Sequence, residues 1–127
     1  MAYGPEVYDG YYRNKLVGVA GLASEVGTGT ASAAAVTIND WCGLITTEAL
    51  TTAQNGVATV TLTNSKVAVG DLVFASVGNG TNTQGTPTIT TTTITASTVV
   101  FKISNLHASA EALNGTLLIR FMIVKAL

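Results

Sequence analysis

The stretch NGTNTQGTPTITTTTITAST, residues 79–98, decides the fold class of this chain. It lies within residues 72–101, which contain no charged side chain. Threonine is branched at Cβ, which restricts its χ1 angle and suits it to the pleated, half-buried surface of a sheet. The glycine and asparagine residues that open the stretch are typical of turns. The stretch therefore favours strands and turns over helices.

Short apolar alternations separated by turns continue on both sides of this stretch. In residues 57–63, the side chains of Ala58, Val60 and Leu62 fall on one face of a strand and the intervening ones on the other. Turn signals such as Asn55-Gly56 separate the runs. We therefore predict an all-β fold, a small antiparallel β-sandwich or jelly-roll-like domain of about six or seven strands. The predicted strands are residues 36–41, 43–50, 57–63, 71–78, 87–95, 98–104 and 116–125.

Side-chain parity within these strands predicts the core. Ile89 and Ile94 have opposite parity, which predicts a bulge or a shift of face between them. Residues 71–77 are apolar on both faces of the predicted strand, so both faces are expected to be partly covered. Residues 108–113 (ASAEAL) permit a single helical turn, which is too short to be stable alone. The predicted inner face includes Val60, Leu62, Phe74, Phe101, Ile119 and Phe121.

The composition changes near residue 35 and divides the chain in two. Residues 1–35 hold all four tyrosines and a Gly/Ala/Ser/Thr tract, without sustained helical or strand periodicity. We expect an extended N-terminal arm at 1–35 and a β-sandwich domain at 36–127, which should stay folded when residues 1–30 are deleted. Tyrosine offers a large amphipathic surface with little side-chain entropy to lose, as interface anchors do. The interface candidates in the arm are Tyr3, Tyr8, Tyr11 and Tyr12.

The last predicted strand, residues 116–125, is apolar on both faces apart from Arg120. Two interpretations remain open. The strand is either central in the sandwich, or its second face packs against another subunit through Leu118, Arg120 and Met122. In the second case Arg120 pairs with a carboxylate across the interface, because an unpaired buried guanidinium is costly.

Few side chains are available for catalysis or metal binding. The chain has one histidine, one cysteine and seven acids, and no metal-binding spacing. His107 is expected to hydrogen-bond the backbone of its own loop, and Cys42 to act as a small apolar residue beside Trp41. We therefore expect no enzymatic activity, no catalytic residue, no cofactor and no metal.

Charge and hydropathy exclude two classes of partner. The net charge is −1, charged residues make up 10% of the chain, and the six basic residues are dispersed. Nucleic-acid binding requires clustered Lys and Arg, so we expect no nucleic-acid partner. The apolar residues 16–35 are interrupted by Glu25 and by glycines, so we expect no membrane span. A weakly charged surface instead suits a protein that functions within an assembly.

The polar loop at residues 78–86 (GNGTNTQGT) permits two interpretations. Asn and Gly tolerate positive φ, and Asn, Thr and Gln side chains can close backbone turns, so the loop fits a hairpin connection. An uncharged loop rich in amides also fits a glycan-binding site, although no aromatic residue that would stack on a sugar lies nearby.

Five stretches of the chain carry a resemblance to a known family. They are GLITTEALTTA at 43–53, TVTLTN at 59–64, VFASVGNGTNTQGTP at 73–87, NLHAS at 105–109 and ALNGTLLIRF at 112–121. In this order they resemble a β-domain of tailed-bacteriophage structural proteins, over residues 43–124. The resemblance implies a virion component without catalytic residues, and it does not extend to the arm.

From this resemblance we expect a capsid decoration, or cement, protein on the capsid surface of the virion. Its expected partners are the major capsid protein and further copies of itself, as a homotrimer. The trimer is implied by the resemblance to decoration proteins alone. The arm is then expected to make the capsid contact. The alternative is a receptor- or glycan-binding tail or head fibre domain, which the Thr/Asn-rich loops favour.

Overall fold

The computed structural model describes residues 26–126, and this part of the chain is all-β. Two four-stranded sheets pack as a small sandwich. Sheet 1 has the strand order β1-β3-β8-β5 and sheet 2 the order β2-β4-β7-β6. The strands are β1 Val26–Thr30, β2 Ala35–Thr37, β3 Cys42–Thr46, β4 Val57–Thr63, β5 Leu72–Asn79, β6 Pro87–Thr95, β7 Thr98–Asn105 and β8 Leu117–Val124. The predicted fold class is confirmed.

Seven of these strands correspond to predicted ones. The predicted bounds of β4 and β6 agree with the structure, those of β7 differ by one residue at one end, and those of β5 and β8 differ by one residue at each end. The predicted strands at 36–41 and 43–50 are shorter in the structure, as β2 and β3. Residues 108–113 contain bends rather than the predicted helical turn. The predicted bulge is present, as a register shift between Ile89 and Thr91 in the pairing of β6 with β7.

Strand β1 lies inside the segment that was expected to be an arm. It pairs in parallel with β3, from Val26 opposite Cys42 to Thr30 opposite Thr46. Residues 26–30 are therefore already part of the sandwich, so the predicted boundary at 36 is too late. Strand β2 pairs in parallel with β4, and the remaining pairs are antiparallel, so the sheets are mixed rather than purely antiparallel.

The core lies between the two sheets. Five of the six predicted core residues are buried, namely Val60, Leu62, Phe101, Ile119 and Phe121. Phe74 is the exception: it is 57% exposed on the outward side of β5, whereas Val73, Ala75 and Val77 of that strand pack against the core. The prediction for Phe74 is wrong because β5 is apolar on both faces, and alternation alone does not say which face turns inward.

Buried asparagines hold the loops to this core. Asn105 is fully buried, and its Nδ2 donates to the carbonyls of Thr52 (3.1 Å) and Glu111 (2.7 Å). Its Oδ1 accepts the N–H of Thr86 at 2.9 Å. Asn64 is also fully buried and donates to the carbonyl of Asp40 at 2.8 Å. These side chains satisfy backbone groups that would otherwise be buried without a partner.

Candidate functional site

The outward face of sheet 1 is apolar across strands β3, β8 and β5. In the register of β8 with its neighbours, Met122 lies between Cys42 and Phe74, and Val124 lies opposite Leu72. Leu72 and Phe74 are each 57% exposed, and the outward side chains of β8 other than Arg120 are half-buried. We call this surface the outer face of sheet 1. Its members are Leu44, Leu72, Phe74, Leu118, Arg120, Met122 and Val124.

Arg120 lies in the middle of this apolar surface. It faces Leu44 on one side and Ser76 on the other, and it is exposed. Among residues 26–126, no acceptor forms a hydrogen bond or ion pair with its guanidinium. The surface beside it contains an open depression of about 300 Å³. The depression is lined by Phe74, Ala75, Ser76, Arg120, Phe121 and Met122.

The outward face of sheet 2 has a different chemistry. One row across all four strands consists of threonines, in the order Thr37, Thr63, Thr98 and Thr95. The next outward rows add further threonines and the exposed Lys102, together with Val100 and the exposed Val57. This is the polar outward face that one-sided antiparallel sheets ordinarily present to water. A continuous apolar surface is therefore present on sheet 1 and not on sheet 2. Exposed apolar patches of this kind mark contact surfaces.

The structure brings the three predicted interface residues of the last strand together. Leu118, Arg120 and Met122 share the outer face of sheet 1. Strand β8 is central in its sheet, between β3 and β5, as the first interpretation predicted. Packing of its second face against another subunit stays a prediction. The other predicted interface residues, Tyr3, Tyr8, Tyr11 and Tyr12, lie outside the described residues.

Sequence reasoning missed the contribution of β5 and β3 to this surface. Leu72 and Phe74 join it because β5 pairs with β8, with Phe74 opposite Met122. Leu44 joins it from the other side, opposite Arg120. The sequence shows that Leu72 and Phe74 lie on the same face of their strand. It does not show that this strand pairs with β8, because the two segments are distant in sequence.

His107 lies in a loop where three side chains form a hydrogen-bonded series. Its Nδ1 is 3.1 Å from Ser109 Oγ, and its Nε2 is 2.9 Å from Glu111 Oε2. Hydroxyl, imidazole and carboxylate in this order resemble an activated nucleophile. The carboxylate of Glu111 was not expected from the sequence, because its role depends on how the loop bends.

Further contacts indicate that this series closes the loop. Nδ1 of His107 accepts the N–H of Ser109 at 3.3 Å, as the sequence analysis expected of a histidine bonded to its own backbone. Glu111 also accepts the N–H of Gly85 at 3.4 Å, which joins the loop to the turn before β6. None of the three side chains lines the depression on sheet 1. Their geometry is explained by loop closure.

Cys42 is buried at the start of β3. Burial, and to a smaller extent the nearby charge of Asp40, raises the pKa of its thiol. A raised pKa disfavours the thiolate, which is the form that acts as a nucleophile or metal ligand. Within the described residues, no group of three or more His, Cys, Asp or Glu side chains is placed to hold a metal ion. The same part of the chain contains no helix long and apolar enough to cross a membrane.

The amides of the polar loop at residues 78–86 bond within the protein. Asn82 is 3% exposed, and its Nδ2 donates to Asn79 Oδ1 at 2.9 Å and to the carbonyl of Gln84 at 2.7 Å. Its Oδ1 accepts the N–H of Asn114, and the side chain of Asn114 in turn bonds Thr83. These groups join the loop to the segment before β8. The loop connects β5 of sheet 1 to β6 of sheet 2, so the predicted hairpin connection is wrong, and the amides hold a crossover between the two sheets.

Comparisons of the chain with protein-family models, with curated proteins and with solved structures find no match. The function is therefore inferred from the chemistry of the chain itself, and above all from the outer face of sheet 1.

Proposed function

We propose that this protein is a structural component of a tailed-phage particle, a capsid decoration (cement) protein that oligomerises on the head and stabilises contacts between capsomers. The observation that carries the proposal is the outer face of sheet 1, an apolar surface around an arginine without an acceptor among the described residues. The resemblance of residues 43–124 to phage structural β-domains supports the choice of particle. The proposed partners are the major capsid protein and further copies of this chain, as a trimer.

Covering the outer face of sheet 1 contributes favourably to assembly. Full burial of a leucine or phenylalanine side chain stabilises by about 1.5–3 kcal/mol. Leu72 and Phe74 each have 57% of their surface exposed, so covering both contributes about 2–3 kcal/mol. Arg120 makes the choice of partner more specific. A partner that covers the guanidinium without a carboxylate removes its water and forms no ion pair in return, so it binds less favourably.

A localisation experiment tests the proposal. Immunogold labelling of purified particles is expected to place the protein on the head, and isolated protein is expected to bind heads that lack it. The matched pair of variants is Leu72→Ser and Leu106→Ser, since these leucines are similarly exposed, at 57% and 52%, and only Leu72 lies on the outer face. We expect Leu72→Ser to lower head occupancy and Leu106→Ser to leave it unchanged.

Two results contradict the proposal. Labelling confined to tail fibres favours the receptor- or glycan-binding alternative. Equal head occupancy for the two leucine variants removes the outer face of sheet 1 from the docking surface.

A further inference from the structure

The described chain enters the sandwich beside the outer face of sheet 1. Val26 pairs with Cys42, Cys42 with Met122, and Met122 with Phe74, so the four residues form one row across the sheet. Neighbouring strands lie about 4.8 Å apart, so the backbone at Val26 is about 14 Å from that at Phe74. Residues 1–25, which precede this point, are covalently tethered to the edge of the sheet that carries the apolar surface.

The sequence of that preceding segment is complementary to the outer face. Residues 3–13, YGPEVYDGYYR, contain four tyrosines and two acids, Glu6 and Asp9. Tyrosine is enriched among residues that dominate interface energies, because its ring buries apolar area while its hydroxyl stays satisfied. A carboxylate next to tyrosines provides what Arg120 lacks within residues 26–126, since guanidinium–carboxylate pairs are strong charge-assisted hydrogen bonds.

The length of the linking segment allows residues 3–13 to reach a neighbouring copy. From Val26 the strand runs towards Thr30, which shares a row with Thr46 and Leu118. Val26 lies in the row of Met122, so residues 3–13 are joined to the end of β1 that precedes the row of Arg120. The ten residues 16–25 span at most about 33–36 Å, which exceeds the length of an eight-residue strand, about 27 Å. This reach is sufficient to bridge to a second molecule.

We infer that residues 3–13 of one copy dock on the outer face of sheet 1 of a neighbouring copy, with Glu6 or Asp9 paired to Arg120. The inference rests on the self-association included in the proposed function, and it names the occupant of the surface. Tyrosine side chains cover Phe74 and Leu72, and the carboxylate neutralises the one charge of the face. Each copy donates one segment and accepts one, which a reciprocal pair or a closed head-to-tail ring satisfies, and the proposed trimer is a ring of this kind.

A charge-exchange experiment with the full-length chain tests the inference. Variant one is Arg120→Glu, and variant two carries Glu6→Arg and Asp9→Arg. Each variant alone is expected to self-associate about tenfold more weakly or worse, as for a disrupted interfacial ion pair. A mixture of the two is expected to recover association in mixed species, because the face of each variant meets a segment of opposite charge on the other, in two of the three contacts of a mixed trimer. Analytical ultracentrifugation with one variant fluorescently labelled detects the mixed species.

The matched control is Lys102→Glu, which makes the same charge reversal on the exposed outward face of sheet 2. It is expected to assemble like the unmodified protein. Circular dichroism checks that all variants remain folded, which is expected because Arg120 is exposed.

Site-directed crosslinking identifies the owner of the segment. In a Cys42→Ala background, Gly10→Cys is placed in one preparation and Ser76→Cys, which lies opposite Arg120, in a mass-tagged second one. The expected product after co-assembly is a crosslink between tagged and untagged chains. A chain carrying both cysteines that crosslinks only within itself overturns the inference, and so does assembly without any crosslink.

The failures of the two proposals are distinguishable. If the protein is found on heads but the charge-exchange mixture does not recover assembly, residues 3–13 do not occupy the outer face of sheet 1, and the proposed function still stands. Recovery in the mixture, together with absence from heads, overturns the decoration function and leaves the docking in place.

Discussion

Phe101 and Phe74 show that the same residue type has different consequences on the two sides of a sheet. Phe101 is fully buried between the sheets, and Phe74 is 57% exposed on the outer face of sheet 1. Replacing Phe101 by alanine should lower the free energy of unfolding by about 3–5 kcal/mol, because a cavity forms in a packed core. Phe74→Ala should change it by less than about 1 kcal/mol, since most of that ring is already in water.

Urea denaturation of the two phenylalanine variants at low protein concentration measures this difference. Equal losses of stability would mean that Phe74 packs into the same core as Phe101. Phe74→Ala is expected to act on association instead, which a concentration series of the same variants detects.

Asp71 gives the fold a dependence on pH in the acid range. Its carboxylate accepts from Lys125 Nζ at 2.6 Å and from the backbone N–H groups of Ala68 and Ala126. The hydrogen bond from Lys125 and those backbone bonds lower the pKa of the carboxyl group. A carboxyl whose pKa is lower in the folded state stabilises the fold above its unfolded pKa, near about 4. That stabilisation is lost as the pH falls through the folded pKa.

The Asp71→Asn variant tests this linkage. It should be less stable than the unmodified protein at pH 7, and the difference should shrink as the pH falls below about 4. Thermal unfolding at a series of pH values measures both quantities. If the difference in stability between the variant and the unmodified protein is the same at every pH, the packing of the Asp71 side chain matters and its charge does not.

The connection between β1 and β2 is an element that carries backbone strain. Ser32 and Ala35 exchange two backbone hydrogen bonds, of 2.9 and 3.0 Å, and enclose Ala33 and Ala34 with φ of 49° and 60°. Two successive residues with positive φ form the turn type that prefers Asn-Gly, because a Cβ is disfavoured there. The turn keeps this geometry because it transfers the chain from sheet 1 to sheet 2, where the carbonyl of Ala34 accepts from Thr61.

Ala34→Gly should therefore raise the free energy of unfolding by about 1 kcal/mol, because glycine relieves the strain at positive φ. The control is Ala35→Gly in the adjacent strand, which should lower it by about 0.5–1 kcal/mol. Chemical denaturation compares the two. Loss of stability in both variants would show that the backbone at Ala34 is not strained.

At the scale of the whole molecule, the pairing of β1 changes how truncations should behave. Deleting residues 1–30 removes β1 and leaves the edge of β3 without its partner strand. Deleting residues 1–22 keeps β1 but removes the tyrosine segment. We expect the longer deletion to destabilise the fold. The shorter one should keep the fold and lose self-association.

Circular dichroism and light scattering on both truncations test this expectation. The earlier expectation for the deletion of residues 1–30, an unchanged domain, would hold only if β1 contributed nothing to the sandwich. Unchanged association after the deletion of residues 1–22 would exclude the segment from the contact between copies.

The sequence by itself determined the fold class and the position of most strands. Residues 57–63 were located correctly because alternation of apolar and polar side chains is a local property with a period of two. Residues 87–95 were located correctly because a run of β-branched threonine and isoleucine favours a strand. The same parity correctly assigned Leu118, Arg120 and Met122 to one face of β8.

Tertiary structure alone decided which strands pair and which face of each turns inward. The sequence VGTGT of β1 has no apolar alternation, and it is a strand because β3 supplies its hydrogen-bond partners. Phe74 faces outward because the opposite face of β5 packs against the core. The sequence does not determine which face is buried, because both faces of β5 are apolar. The outer face of sheet 1 exists because β5 and β3 flank β8, and pairing between segments distant in sequence leaves no local signal in either of them.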